Sequence, residues 1–278
     1  MKIRFHKKLG RLIRKKFRER VLSNYGVGIL AETKNGRFVV EAGDFAVGRR
    51  LLERGEYDYD ELQWLRKCIN KKTNTIVVVG THIGAFLVPL SQNCNNIYGF
   101  EVDKTNYNLL LNNIKLNDIN NAHLFNNAIG QFTQTVYIKR NAINTGNTTI
   151  DLNDETQGES VSMITLDDAL RKEKIDLMII DIEGHELHAL KGGEETIKNT
   201  NMIYIEFAPY QLIEHKTNPE ELLKKLENNF QYIYLPDRGK IICYPIKEAI
   251  DKIISDMNKR GYLVNLLCTK NELPNHDC

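Results

Sequence analysis

The chain has 278 residues, of which 42% are hydrophobic and 27% charged, enough apolar material for one α/β domain with extensions. Its formal charge of +2 conceals an asymmetry, since residues 1–20 hold ten Lys and Arg against Glu19 alone and the remainder is net acidic. Five cysteines without a C-x-x-C pair argue against a disulfide framework and a zinc site, no apolar run reaches the length of a membrane span, and the basic N-terminus lacks the apolar core of a signal peptide, so a reduced, cytoplasmic protein is expected.

In chain order, residues 1–22 place Phe5, Leu9, Leu12, Ile13, Phe17 and Val21 three or four apart among basic residues, which predicts a basic amphipathic helix. Peripheral contact with an anionic membrane is one use of such a helix, and packing of its stripe on the body is another. No nucleic-acid partner is expected, because the body is acidic and only this terminal segment is basic. Residues 23–70 read as a cover: short strands about the Asn35-Gly36 turn, a flap at Gly55-Glu-Tyr-Asp58, and a helix from Asp60 to Asn70. Residues 71–278 form the main domain. Oligomeric state is left open.

Thr75-Asn-Thr-Ile-Val-Val-Val-Gly-Thr-His-Ile-Gly84 combines a run of β-branched residues, the mark of a strand buried on both faces, with a glycine loop leading into a helix. The next strand, Asn96 to Phe100, ends at Glu101, from which a carboxylate can accept hydrogen bonds from both hydroxyls of a ribose. No glycine stands at position 82, so the loop departs from the G-x-G-x-x-G of dinucleotide sites, and no Walker motif occurs anywhere. A glycine loop without a pyrophosphate cradle, followed by an acidic strand end, suits S-adenosylmethionine, with the amino-acid end of that cofactor along Gly80, Thr81, His82 and Gly84.

Further along, Asp103 is placed to cap a helix, His123-Leu-Phe125 forms a strand, and a short strand near Val136 precedes the polar stretch 140–159, read as a substrate-facing loop. Val161 to Thr165 is another strand and Leu166 begins a short helix. Ile175 to Asp181 is a buried strand ending in a carboxylate, followed by Ile182-Glu-Gly-His-Glu186 and a helix running through Leu187, Leu190 and Ile197. Strand Met202 to Glu206 ends in a third carboxylate. A helix from Glu220 to Asn228 and strands near Tyr232 and at 262–268 finish the chain, the last strands as a hairpin-like edge. The alternation predicts an α/β fold with an open, mostly parallel sheet and helices on both faces.

Glu101, Asp181 and Glu206 are thus expected on one rim, where open α/β sheets bind ligands. Acidic groups favour a sulfonium, and His185 is the residue whose ordinary pKa best suits a base for an attacking hydroxyl. Asp181 and Glu183 would be the oxygen ligands if a divalent metal assisted, a route not favoured over metal-free transfer.

The series Gly80-Thr-His-Ile-Gly84, Phe100-Glu101, Asn127-Ala-Ile-Gly130, Leu166-Asp-Asp, Ile180-Asp-Ile-Glu-Gly-His-Glu-Leu and Tyr204-Ile-Glu-Phe resembles the FkbM family of S-adenosylmethionine-dependent methyltransferases over roughly residues 36–235. The resemblance implies a class I methyltransferase fold, Rossmann-like, with a seven-stranded sheet, and O-methylation of a hydroxyl, often on a sugar or glycan acceptor. Carried over by position, Gly80, Gly84 and Glu101 would hold the cofactor, Asn127 and Ala128 would lie by the adenine, and Asp181, Glu183 and His185 would border the methyl group. Val78, Thr81, His82 and Ile179 depart from the family's usual residues. These departures sustain a second expectation, a catalytically weak or inactive methyltransferase-like binding module docked on a membrane or partner by its basic terminal helix.

Overall fold

The computed structural model describes residues 28–273 except 42, 45, 70–72, 140–148, 152–157, 171–172, 238–239 and 260. The helix expected over 1–22 and most of the polar stretch 140–159 lie outside these residues. No helix among the described residues is long and apolar enough to cross a membrane.

The cover begins as expected. Strands β1 (Ile29–Thr33) and β2 (Gly36–Val40) pair antiparallel with Thr33 opposite Gly36. Asn35 at the turn is buried, and its side chain joins the hairpin to two other segments. Its Nδ2 donates to the carbonyls of Tyr57 and Ala85, and its Oδ1 accepts from the Tyr57 N–H at 2.9 Å. Asn113 of the helix Lys104–Leu116 accepts from the Val39 N–H at 2.7 Å and donates to the Ile83 carbonyl at 2.9 Å. Such bonds make the cover part of the body. A helix at Val47–Arg54 had no counterpart in the sequence reading; buried Asp44 anchors its start by accepting from the N–H groups of Ala46 and Gly48. The helix Tyr59–Cys68 follows as expected.

The main sheet comprises β3 (Thr73–Val79), β4 (Cys94–Phe100), β5 (Ala122–Phe125), β10 (Ile175–Ile180), β11 (Thr200–Phe207), β12 (Tyr232–Asp237), β13 (Lys240–Pro245) and β14 (Val264–Thr269). Its order is β13-β12-β14-β11-β10-β3-β4-β5, eight strands rather than seven because Lys240–Pro245 adds an edge strand to β12. The five from β11 to β5 are mutually parallel; β14, β12 and β13 are joined antiparallel. Alternation along β3 sends Val77 and Val79 into one core and Ile76 and Val78 into the other, so the β-branched run is buried on both faces.

Several expectations change. The last strand is not part of an edge hairpin: β14 inserts between β11 and β12, where Leu266, Leu267 and Cys268 are fully buried. The segment after the glycine loop makes only one helical turn, Leu87–Leu90, before a 3₁₀ turn at Ser91–Asn93 returns it to β4. The helix through Leu187 to Ile197 is two, Glu186–Lys191 and Glu194–Lys198, parted at Gly192-Gly193. A side chain at Gly192 would stand 2.0 Å from the Gly130 carbonyl oxygen, so close backbone approach dictates that break. Finally, β7 (Gln134–Lys139) and β9 (Glu159–Ile164) leave the main sheet. With β6 (Ala128–Ile129) and β8 (Thr149–Asp151) they build a second sheet of order β6-β9-β7-β8.

Candidate active site

The strand order reverses between β3 and β10: β4 and β5 continue on one side of β3, and β10 and β11 lie on the other. Crevices of open α/β sheets form at such a point, beyond the carboxyl ends of the strands. Gly80 ends β3 and Asp181 ends β10. The Gly80 N–H donates to the Phe100 carbonyl at 3.0 Å and the Asp181 N–H to the Val79 carbonyl at 3.0 Å, which ties three strand ends together. Gly80 has φ +87°, the left-handed region, and an added Cβ would stand 1.8 Å from the Asp181 carbonyl oxygen.

Two cavities open here and share Gly80, Glu101, Asp181 and Glu183. The smaller, about 50 Å³, is also lined by Asn127, Ala128, Ile129 and Ile150. The larger, about 240 Å³, adds Thr81, His82, Tyr57, Phe86, Tyr204 and Asn265. Gly80, Thr81, His82, Glu101, Asn127, Ala128, Asp181 and Glu183 are therefore brought to one connected site. Gly84 is not on its walls; with φ +97° it packs against Leu110, so it shapes the loop.

His185 is not brought there either. It leads into the helix Glu186–Lys191, is 5% exposed, and faces a separate cavity of about 90 Å³ with His188, Met163 and Gln131. Burial, aided by His215 and His188 nearby, pushes its pKa down to about 3, and its Nε2 has no hydrogen-bond partner among the described residues. His185 thus stands apart from the two shared cavities, on the wall of neither.

The larger cavity is mainly acidic, and the sequence reading missed the part that the cover and its neighbours supply, Tyr57, Asp58, Glu61, Phe86, Tyr204 and Asn265. Asp58, Glu61, Glu101, Asp181, Glu183 and Glu206 line the larger cavity, and among the described residues no Lys or Arg does. Asp58 pairs with Arg50 at 2.6 Å; Glu61 accepts from the Tyr204 hydroxyl at 2.8 Å and from Asn265 at 3.3 Å. The flap read at Gly55–Asp58 was the available signal for Tyr57 and Asp58. Burial drives the Glu101 carboxyl up to about 7. Burial and then Asp181 drive Glu183 up to about 7, opposed by a hydrogen bond from Gln211. Asp181 keeps an accessible side chain on the cavity wall, yet the surrounding protein mass, with Asp58 and Glu61, raises its pKa. Glu206 is raised furthest, by burial and then by Asp181, Glu183 and Glu186.

Glu101 shows how an adenosyl group fits. It is 6% exposed; its Oε2 accepts from the His82 N–H at 2.7 Å and its Oε1 from the Asp103 N–H at 2.9 Å. These bonds fix the carboxylate while leaving acceptor capacity on the cavity side for hydroxyl groups. The backbone at Gly80 has no side chain to obstruct the crevice, Ile129 and Ile150 give the smaller cavity apolar walls, and the carboxylates of the larger one match a sulfonium. Among the described residues no group of three or more His, Cys, Asp or Glu side chains is arranged to hold a metal ion.

Residues 79–263, well over half of the chain, match the model of the methyltransferase FkbM domain. The chain belongs to the FkbM methyltransferase family. It carries that family's domain on an open, mostly parallel α/β sheet. No curated protein matches it. Among solved structures, the methyltransferase FkbM from Methylobacillus flagellatus KT is similar with a TM-score of 0.48 and 17% identity, over 77% of this chain and 48% of that one. This chain thus spans about half the length of that protein. TYW2 from M. jannaschii, solved in complex with AdoMet, has a TM-score of 0.44 and 15% identity over 87% of this chain and 85% of its own. The Pyrococcus abyssi tRNA (uracil-54, C5)-methyltransferase, solved with S-adenosyl-L-homocysteine, has 0.43 and 10% over 86% and 43%. In this FkbM methyltransferase, Gly80, Glu101, Asn127 and Ala128 would hold the adenosyl part, and Asp181 and Glu183 would face the transferable carbon.

Proposed function

We propose that this FkbM methyltransferase methylates a hydroxyl of a sugar, glycan or glycoconjugate, and that Glu183 takes the hydroxyl proton. S-adenosylmethionine supplies an electrophilic methyl carbon when bound. Glu183 would take the proton of the acceptor hydroxyl as that oxygen accepts the methyl group. The observation that carries the reading is the place of Glu183, on the walls of both cavities beside Asp181, with a carboxyl raised to about 7, near the pH at which a base is most useful. Asp181 complements the positive charge of the donor and Glu101 orients its ribose. The acidic lining, with the rings of Tyr57 and Phe86, suits a polyhydroxyl acceptor and opposes a phosphate-rich one.

Labelled cofactor with sugars, sugar nucleotides and glycan extracts tests the acceptor class. Label in a base-stable ether of a carbohydrate is the expected result; label confined to amines or nucleic acid overturns it. With the acceptor in hand, Glu183→Gln should lower kcat on the order of 10²- to 10⁴-fold while leaving cofactor affinity near that of the parent. Full turnover by that variant would remove Glu183 from the role.

A further inference from the structure

Glu183 sits in left-handed backbone, φ +55°, and Gly184 follows at φ +102°. Two elements hold this strained turn. From one side, buried Glu186 accepts through Oε1 from the N–H groups of Ile182 and Gly184, both at 3.1 Å. From the other, the helix Pro209–Glu214 packs so closely that a Cβ on Gly184 would stand 2.9 Å from the Gln211 carbonyl oxygen and 2.6 Å from His215 Cδ2. Gln211 is 7% exposed, and its Nε2 donates to Glu183 Oε2. Its own Oε1 is buried with no hydrogen-bond partner among the described residues.

We infer that Gln211 is a positioning residue for proton transfer, its amide holding the Glu183 carboxylate toward the cavity and partnering that carboxyl both before and after it accepts a proton. The inference rests on Glu183 as the proton acceptor. A carboxylate accepts only, whereas a protonated carboxyl also donates, so a fixed N–H partner would serve one state and oppose the other. A primary amide carries both functions on one planar group. With Nε2 toward Glu183 it stabilises the ionised form. Turned by half a revolution, it presents Oε1 to the new O–H while its NH₂ takes the place where Oε1 stood without a partner. Either orientation leaves one function of the amide unpartnered, so the protonation state of Glu183 decides between them. The other ionisable groups near Glu183 do not offer this service. Asp181 and Glu206 are carboxyls that oppose its charge, Tyr210 lies on the same helix as Gln211 at the exposed side, and the His215 ring bonds the Glu183 backbone.

Nuclear magnetic resonance of the full-length protein, with carboxyl-¹³C glutamate and side-chain-¹⁵N glutamine, tests the inference without methyl transfer. Glu183→Gln assigns the Glu183 signal and Gln211→Met, a volume-conserving change that removes both hydrogen-bonding functions, assigns the amide. Gln211→Met removes a charge-assisted hydrogen bond from the ionised carboxylate and a weaker neutral one from the protonated carboxyl, so the Glu183 midpoint should rise by the difference, somewhat under about one pH unit. In the unsubstituted protein, the Gln211 amide signals should shift with the Glu183 midpoint. An unchanged midpoint in the Met variant overturns the inference. Should that variant not fold, Gln211 amide signals that stay flat while Glu183 titrates overturn it in the unsubstituted protein. Neither result bears on the base assignment, which fails separately if Glu183→Gln keeps full turnover.

Discussion

Gly80 and Asp181 meet so closely at the ends of adjacent parallel strands that the glycine's missing methyl group would lie 1.8 Å from the aspartate's carbonyl oxygen. Gly80→Ala must therefore part β3 from β10 while also holding alanine at φ +87°. A loss of about 2–5 kcal/mol in urea unfolding, the sum of backbone strain and overpacking, is expected, with cofactor binding abolished in calorimetry. An alanine variant of parental stability would show that the two strand ends are free to separate.

Glu101 receives two backbone N–H groups and faces both cavities. Glu101→Ala should weaken S-adenosylmethionine binding by about 1.5–3 kcal/mol, the range for a hydrogen bond to a charged group. Calorimetry at constant pH checks the figure, and an unchanged affinity would take Glu101 out of the ribose site.

The raised carboxyls make stability and binding depend on pH in a definite direction. Glu101, Glu183 and Glu186, each driven up to about 7 chiefly by burial, bind protons in the folded state that they release when unfolded. Over pH 4.5 to 7 the native state thus holds more of these protons, and the stability they confer is lost as pH rises through about 7. His185, driven down, acts oppositely but below pH 6.5, so the window from 6.5 to 8.5 isolates the carboxyls. Thermal midpoints of the free protein should fall across that window, and Glu206→Gln should flatten the slope. A cationic cofactor favours the ionised forms, so its binding near pH 6.5 should release protons, read as a calorimetric enthalpy that varies with the buffer's ionisation enthalpy. Buffer-independent heats would contradict this.

His185 and Glu183 stand two residues apart and face different cavities. His185→Gln should leave cofactor affinity and kcat within about threefold of the parent, in contrast to the much larger loss at Glu183 expected of a proton-transfer group. A collapse of kcat in the His185 variant at unchanged cofactor affinity would return the imidazole to the mechanism.

Ile150 is the described residue through which the polar stretch 140–159 reaches the smaller cavity. Ile150→Ala should weaken cofactor binding by about 1 kcal/mol, as expected for apolar surface withdrawn from an adenine-sized contact. No change in affinity would place that strand outside the cofactor site.

Much of the scaffold was legible because it is written in local periodicity. The β-branched run of β3, the Asp103 cap, whose Oδ1 accepts from the Asn106 N–H at 2.9 Å, and the Asn35-Gly36 turn each depend on neighbours a few residues away. Less was legible where distant segments decide. The helix Val47–Arg54 is anchored by a buried aspartate, and β14 is a central strand because two flanking strands bury it. The helix Ile246–Asp256, with Ile246, Ala249, Ile250 and Ile253 buried, carried a readable period that the sequence reading left unassigned.

From the sequence alone came the strand ends and the chemistry at them, Gly80, Glu101, Asp181 and Glu206, because strand length and residue type determine where a buried run stops and what it presents. Tertiary structure alone decided which neighbours share the cavity. The left-handed turn at Glu183 and Gly184 keeps one carboxylate at the crevice while His185 faces another cavity, and the cover brings Tyr57, Asp58 and Glu61 to the same wall from a segment far away in the chain. Side-chain direction at such a turn depends on backbone torsions held by packing from the helix Pro209–Glu214 and by Glu186, and no local pattern of residues encodes them.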